Sequence, residues 1–379
     1  MRPETVTELG EMVRQVGGQA VQLQGQNSKA HWGNPCSEDG VIISTAALNR
    51  IVSHEPADLV VTVDCGVKWT DLQALLAEKG QFWPVRPLYP EQATIGGIIA
   101  TADGGAERQR YGGVRDLLLG VSWVRPDGAV AKAGGRVVKN VAGYDLMKLM
   151  TGSWGTLGCL TQATLRLYPL PPVTRCFLVQ GNNLAQVRQR VLDSALQPTA
   201  CDVLSGAVVA QLGYGAQMSL WVELRGTAGT VVEQVARLQS LCADAMVTEI
   251  DPETGAQLTR IFSLPGTQPH ILLKIGVLPT QTLALAEYLA QAWLQVHSGV
   301  GLGRCVLTTM PPDFADWLTR LRRMVHPQGF VSVLSGPPVP DRWDVRGSGL
   351  AVMRRVKAQF DPQHRFNPGR WLWEAGDVA

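Results

Sequence analysis

The chain has 379 residues, a formal net charge of +2, 45% hydrophobic residues and only 17% charged residues. At roughly 150 residues per domain this allows two or three domains, and the hydrophobic content excludes low-complexity disorder and collagen. Near-neutrality removes the electrostatic case for nucleic acid, which calls for a concentrated basic face. A charged fraction below the ~25% of average globular chains points to a surface covered by a partner or another subunit.

Apolar spacing predicts the elements in chain order. Residues 3–19 read as a helix with Val6, Leu9, Val13 and Val16 on one face, ended by Gly17-Gly18. Val21 to Leu23 is a short strand running into the loop Gly25-Gln26-Asn27-Ser28-Lys29, and Val41 to Ser44 and Leu59 to Val63 are further strands. Trp69 to Lys79 is a helix with Leu72, Leu75 and Leu76 inward. Pro169, Pro171 and Pro172 mark a boundary. Beyond it, strands Leu220 to Leu224 and Ile271 to Val277 alternate with helices Val231 to Cys242 and Gln281 to Val296, giving a smaller α+β domain. A helix from Leu350 to Phe360 and a polar tail close the chain. The expected domains are 1–172, 173–349 and 350–379, with no internal repeat visible.

No apolar run reaches the roughly 18 residues of a membrane span. The charged segment Met1 to Arg14 lacks the apolar core of a signal peptide. The expectation is a cytoplasmic protein without a transmembrane segment. Seven scattered cysteines with no C-x-x-C pair imply free thiols and no iron–sulfur cluster in this chain. The six histidines show no metal-binding spacing, and neither a phosphate-binding G-x-x-x-x-G-K-[ST] loop nor a G-x-S-x-G elbow occurs, so no metal site is expected.

Glycine is concentrated. Fourteen of the 40 lie between Gly96 and Gly158, a stretch that needs turns or close backbone approach to a large ligand. Three pieces lie there: Pro90 to Thr101 with Thr94, Gly96 and Gly97; Tyr111-Gly112-Gly113 with Asp116; and Lys139-Asn140 through Gly143-Tyr144 into Gly155-Thr156-Leu157-Gly158 and Leu160. Thr94-Ile95-Gly96-Gly97 opens a small-residue helix whose free N–H groups suit a phosphate. A close-lying backbone at Gly155 to Gly158 suits the edge of a flat heterocycle.

Together with the tail Phe360-Asp361-Pro362 to Phe366-Asn367-Pro368-Gly369-Arg370, these pieces resemble the FAD-binding domain of the vanillyl-alcohol oxidase / p-cresol methylhydroxylase (PCMH-type) flavoprotein superfamily. "ATIGG", "YGGVRD", "GYDL", "GSWGTLG" and "FNPGR" carry the resemblance, which covers residues 1–172 and 350–372. It implies an α+β fold: a two-part PCMH-type FAD-binding domain, a smaller α+β cap domain, and a C-terminal segment returning to the FAD domain. Within the superfamily, "GGRVVKNVAGYDLMKLMTGSWGTLG" is most similar to the FAD-binding subunits of glycolate oxidases.

By that resemblance, Gly25 to Lys29 and Thr94 to Thr101 wrap the FAD pyrophosphate, Gly155 to Leu160 meet the adenine side, Lys139 to Tyr144 lie near the flavin ring, and Asn367 returns to the flavin from the tail. Pro90, Tyr111, Gly113 and Asp116 join the cofactor set. Gln26 and Asn27 stand where glycine is common in relatives, and asparagine tolerates positive φ far better than glutamine. No histidine occupies the loop position used for covalent attachment, so the FAD is expected to be noncovalent. The implied activity is oxidation of a small 2-hydroxy acid, glycolate to glyoxylate, beside a paralogous FAD subunit, with electrons passed to an iron–sulfur subunit. The complex places the protein in the cytoplasm or at the inner face of a membrane. The alternatives are a non-catalytic electron-relay or scaffold subunit, or a stand-alone D-lactate-type dehydrogenase. Arg260 and Lys274 are candidate carboxylate anchors; no catalytic base is assigned.

Overall fold

The computed structural model describes residues 1–36, 39–136, 143–263 and 270–371. The chain divides into two compact units: Met1–Gly105 with Gly112–Leu170 and Val345–Ala379, and Ala106–Tyr111 with Pro171–Asp344.

The first unit starts with a helix, Val6–Gln15, shorter than its apolar pattern suggests. Thr5 caps its N-terminus by accepting the Glu8 N–H. Leu9 and Val13 on its inner face pack with Val16 against β1 (Val21–Gln24) and β2 (Val41–Ser44). These two strands pair in parallel. Parallel neighbours cannot be joined by a hairpin; the described part of the chain between them, residues 25–36 and 39–40, carries the loop singled out above.

A five-stranded antiparallel sheet forms the main core. It comprises β3 (Ile51–Glu55), β4 (Val60–Asp64), β6 (Leu118–Val124), β7 (Val130–Gly134) and β8 (Cys159–Arg166), in the order β3-β4-β8-β6-β7. A two-stranded ribbon of β5 (Gln81–Phe82) and β9 (Tyr168–Pro169) stands apart. All residues of β4 and β6 are buried, because both faces of the inner strands are covered. The helices Trp69–Ala77 and Ile95–Thr101 supply Leu72, Leu76, Ile95, Ile98 and Ile99 to that core. Strands β6 and β7 lie within the glycine-dense stretch, so part of what looked like ligand loop is sheet.

In the second unit eight strands form one antiparallel sheet, ordered β13-β10-β12-β11-β15-β16-β14-β17. They are β10 (Val173–Gln180), β11 (Ala200–Leu204), β12 (Ser219–Gly226), β13 (Met246–Ile250), β14 (Ile271–Gly276), β15 (Trp293–His297), β16 (Leu302–Leu307) and β17 (Phe330–Ser335). The first four and the last four each run β-α-β-β-α-β, the ferredoxin-like path, and meet edge to edge at β11 and β15. An internal repeat of topology is therefore present where none shows in the residues. Helices Leu184–Asp193, Ala228–Leu241, Thr282–Tyr288 and Phe314–Val325 cover one face of this sheet through Val187, Val231, Leu285 and Leu321.

The expected helix Gln281 to Val296 is corrected. Only Thr282–Tyr288 is helical, and Trp293–His297 is strand β15. Its backbone is hydrogen-bonded on both sides, to β11 and β16, and this tertiary pairing outweighs the local apolar spacing. All seven cysteines are free. Among the described residues, no helix is long and apolar enough to cross a membrane.

After the second unit the chain re-enters the first through the helix Gly349–Phe360. Lys357 on this helix is fully buried. Its ammonium donates to Asp361 Oδ2 (2.6 Å), to the Thr156 carbonyl (2.7 Å) and to the Phe366 carbonyl (3.3 Å). Asp361 also accepts the N–H groups of Arg365 (3.0 Å) and Phe366 (2.8 Å). Phe366 then lies beside Val21 as a parallel bridge and is buried. Replacing one member of such a pair strands the other charge without a counter-ion, at about 3–5 kcal/mol. We expect Lys357→Met to lower unfolding stability by about that amount in urea titrations, and Lys357→Met/Asp361→Asn to recover part of it. Equal stability of the single variant and the parent would show that the pair does not hold the tail.

Candidate functional site

An open cleft in the first unit is built from five pieces of chain. The end of β1 (Gln22 to Gln24) and the loop Gly25 to Ala30 with Trp32 form one side. Gly96, Gly97, Ala100 and Thr101 of the helix Ile95–Thr101 form another. The turn Trp154-Gly155, the start of β8 (Gly158 to Leu160), and Asn367 with Arg370 of the tail complete it, with Thr45 at the base. Its free space is ≈ 940 Å³ with the open mouth and the solvent in it included.

The loop is held from behind. Ser44 Oγ donates to the Gly25 carbonyl (3.0 Å) and Thr45 Oγ1 to that of Gln24 (3.3 Å). Gly25 presses on the helix cap: a Cβ there would stand 2.3 Å from Thr94 Oγ1. Thr94 itself caps the helix by accepting the Gly97 N–H at 3.2 Å. Asn27 takes φ = 64°, the left-handed conformation that glycine commonly supplies. Gln26 does not share it, so the asparagine sits at the position that needs a tolerant residue.

Lys29 brings the charge. Its side chain is 7% exposed and its ammonium pairs with Asp103 Oδ2 at 3.2 Å, off the line of a hydrogen bond. Beyond this ion pair, the ammonium has no partner in hydrogen-bond geometry among the described residues. Burial pushes the Lys29 pKa below 10.5, with Asp103 opposing the shift. Trp32 lies under the ammonium at 5.4 Å from ring centroid, and packs at 6.4 Å from Trp154, which stacks on Trp371 at 5.9 Å. His31 Nε2 meets the Tyr89 hydroxyl at 3.0 Å. Burial first, then Arg370 and Lys29, hold the His31 pKa below its ordinary value, which favours the neutral ring.

Asn367 is a brace. Its Oδ1 accepts the Leu23 N–H (2.7 Å), its Nδ2 donates to the Trp154 carbonyl (2.8 Å), and its backbone N–H donates to Val21 (2.9 Å). A Cβ on Gly155 would come within 2.6 Å of Asn367 Nδ2. The tail's Arg370 donates to the carbonyls of Ala30 and Trp32, both at 2.6 Å, fixing the far end of the loop.

Of the residues singled out in the sequence, Gly25, Gln26, Asn27, Ser28, Lys29, Thr94, Gly96, Gly97, Thr101, Gly155, Gly158, Leu160 and Asn367 come together around the cleft. Pro90 and Thr156 do not line it: Pro90 is half-buried, and Thr156 is buried and supplies a carbonyl to Lys357. Gly113 and Asp116 cap the short helix Val114–Leu117, the Asp116 carboxylate accepting the Gly113 N–H at 2.8 Å. Tyr111 belongs to the second unit. Gly143 is exposed and Tyr144 is 89% exposed, while Lys139 and Asn140 lie outside the described residues. Arg260 is exposed on the helix Thr254–Phe262, and Lys274 is half-buried on β14. Sequence reasoning missed Gln22, Leu23, Gln24, Ala30, Trp32 and Thr45, covered Ala100 and Cys159 only inside the ranges Thr94 to Thr101 and Gly155 to Leu160, and quoted Trp154 and Arg370 only within motifs. The nearness of Trp32 and Ala30 to Lys29 in the chain was the one available signal for any of them. Among the described residues no group of three or more His, Cys, Asp or Glu side chains is placed to hold a metal.

Family comparisons agree with this architecture. The FAD binding domain matches residues 1–134, and the C-terminal domain of FAD linked oxidases matches residues 343–371. The glycolate oxidase subunit GlcE of Escherichia coli K12 is 34% identical over 252 residues, 66% of this chain and 68% of that protein. The chain belongs to the PCMH-type FAD-linked oxidoreductases. The glycolate oxidase subunit GlcD of Bacillus subtilis is 26% identical over 89% of this chain and 81% of its own length. The D-2-hydroxyglutarate dehydrogenase of Xanthomonas citri pv. viticola is 26% identical over 99% of this chain and 89% of its own. An alkyldihydroxyacetonephosphate synthase structure superposes with a TM-score of 0.71 at 14% identity, over 97% of this chain and 76% of that one, and shows the fold.

FAD is accordingly the cofactor of this family member. The cleft suits it: a buried cation with protons to give suits a phosphate, crowded glycine backbone allows close approach, and tryptophan walls suit flat rings. Gly25→Ala is expected to push the loop off the Thr94 cap, at a cost of about 1–3 kcal/mol, and to sharply lower the flavin-to-protein ratio after reconstitution. A variant that retains full flavin and an unchanged melting temperature would show that the loop needs no such clearance.

Proposed function

We propose that this chain is the FAD-bearing subunit of a complex that oxidises a small 2-hydroxy acid of the glycolate class to the 2-oxo acid. Electrons then leave to an iron–sulfur partner, with a paralogous flavoprotein alongside. Its place is the cytoplasm, or the inner face of a membrane reached through the complex. The observation that carries this reading is the coincidence of the braced cleft with relatives whose names are glycolate oxidase subunits GlcE and GlcD and D-2-hydroxyglutarate dehydrogenase.

In this reading the FAD is held without a covalent bond and supplies the two-electron acceptor for the substrate's α-carbon hydride. The chain's own residues do the rest. Lys29 would hold a phosphate of the FAD from its desolvated position, where a charge-assisted hydrogen bond is strong. The Gly25 to Ser28 backbone and the Thr94-capped turn, which line the same cleft, would offer their N–H groups to it. Trp32 and Trp154 exclude water from one wall. Asn367 touches the cleft while its amide fixes β1 and the Trp154 turn, so it shapes the site instead of reacting.

Two measurements test this. The purified, FAD-loaded chain mixed anaerobically with glycolate or D-lactate is expected to lose its yellow colour and to yield the 2-oxo acid. Reduction that occurs only after partner subunits are added would leave the chain as an electron relay, and a folded chain that takes up no FAD would make it a scaffold. The second concerns Lys29, whose pKa lies below 10.5 in the flavin-free protein and is raised by a neighbouring phosphate. FAD affinity is then fully present below the lowered value of the flavin-free protein and falls as pH rises through it toward the higher value of the loaded protein. Lys29→Met should weaken FAD by about tenfold or more and flatten that alkaline limb in fluorescence titrations. Unaltered affinity and pH dependence would remove Lys29 from phosphate recognition.

A further inference from the structure

Asp103 is an anion whose position the backbone fixes. It follows the helix Ile95–Thr101, whose Gly96, Gly97, Ala100 and Thr101 line the cofactor cleft. Ala102 ends that helix in the left-handed conformation, φ = 52°, with its N–H on the Ile99 carbonyl at 3.2 Å. The Asp103 N–H reaches back to the Ile98 carbonyl, also at 3.2 Å, which completes a Schellman stop. The far side is tied as well. Asp103 Oδ2 accepts the Leu88 N–H at 2.8 Å, and the Arg86 N–H donates to the Gly104 carbonyl at 3.0 Å.

Lys29 comes to this carboxylate from the cofactor loop. Its side chain is 7% exposed, and Nζ stands 3.2 Å from Asp103 Oδ2 without hydrogen-bond alignment to it or to any other described residue. Asp103 therefore balances the charge and leaves the ammonium donors uncommitted. The other titratable groups nearby supply no second anion. Arg370 is itself a cation and donates to the Ala30 and Trp32 carbonyls. Burial pushes the Tyr89 phenol and the Cys36 thiol up. Burial first, then Arg370 and Lys29, pushes His31 down, so all three are neutral near neutral pH. The His31–Tyr89 contact at 3.0 Å ties the loop to the turn after Leu88 without involving Asp103. An ammonium this desolvated tends to give up its proton or turn out to water unless an anion stands beside it.

We propose that Asp103 is the resident counter-ion of the flavin site, keeping Lys29 charged and in place while the cleft is empty, so that a phosphate of the incoming FAD meets a ready ammonium and no proton has to be drawn from water. Asp103 is a positioning residue acting through Lys29. The proposal rests on the reading of Lys29 as a phosphate ligand given above.

A phosphate beside Lys29 raises its hold on the proton. FAD binding is then at full strength below the titration of Lys29 in the empty cleft and weakens above it. An opposite charge within about 4–6 Å moves such a titration by about 1–3 pH units. Loss of the Asp103 charge therefore brings the weakening to lower pH.

The test is calorimetric titration of the full, flavin-stripped chain with FAD from neutral to alkaline pH, in buffers of different ionisation enthalpy, which counts the protons taken up. Asp103→Asn keeps an oxygen for the Leu88 N–H and removes only the charge. Its alkaline fall in affinity should begin about 1–3 pH units below that of the parent. Between the two midpoints it should take up close to one proton per FAD, where the parent takes up little. Asp103→Glu should move the fall back toward the parent, and in the Lys29→Met background Asp103→Asn should move nothing. An Asp103→Asn chain with the parent's midpoint and proton count, or one that weakens FAD equally at every pH, would overturn the proposal. Should that variant not fold, the parent decides. Proton uptake that sets in only at alkaline pH and is absent from Lys29→Met supports it, and a whole proton taken up at neutral pH overturns it. Asp103→Asn without effect, beside glycolate reduction of the flavin, would sink this role and leave the proposed function standing. The expected shifts, with no 2-hydroxy acid reducing the flavin, would do the reverse.

Discussion

The buried Lys357–Asp361 pair is the constraint on which the cleft depends. Removing an ammonium and a carboxylate from water is expensive, and their mutual attraction offsets that expense only when every remaining donor and acceptor is matched. Here the matching groups are the Thr156 carbonyl, the Phe366 carbonyl and the N–H groups of Arg365 and Phe366. They come together in one register of the tail. A slip by a residue would leave charge unpaired in the interior, so the pair selects the docking that delivers Asn367 and Arg370 to the cleft. Arg365 reinforces it by donating to the carbonyls of Val13, Pro126 and Gln19. The side chains that brace the cofactor loop therefore come from the far end of the chain.

The two units use polar groups differently. In the first, charge inside the cleft is sparse: Lys29 paired to Asp103, Arg370 spent on backbone carbonyls, and otherwise glycine, amide and indole. That composition suits a large cofactor carrying its own charge and its own rings. In the second, strand alternation gives one sheet a helix-covered apolar face and an opposite face with linked Asp, Gln, His and Arg side chains. The chain's low charge content thus leaves room for ionisable groups that are held inside by specific partners.

The ferredoxin-like doubling of the second unit has a physical consequence. Each half alone would end in an exposed strand edge, and such an edge invites pairing with other chains. Joining β11 to β15 turns two edges into the middle of an eight-stranded sheet. The same seam sets Asp202 beside His297, so the join that stabilises the sheet also assembles its polar row.

Short-range chemistry was legible in the residues. The glycine crowding, the Thr94 cap, the tolerance required at Asn27 and the apolar faces of the helices Val6–Gln15 and Trp69–Ala77 follow from backbone sterics and periodicity, which act within a few residues. The family motifs extended that reach to the tail. What folding alone decided are relations between distant segments. Trp293–His297 became a strand because two neighbours pair with it. Asn367 became a brace and not simply a flavin neighbour because Leu23 and Trp154 meet it. Lys357 became a buried anchor although a lysine on a helix ordinarily reads as a solvated charge. Partners separated by 95 residues, as Asp202 and His297 are, or by 344, as Leu23 and Asn367 are, leave no local pattern, because the hydrogen bond between them exists only once the sheet and the tail have closed.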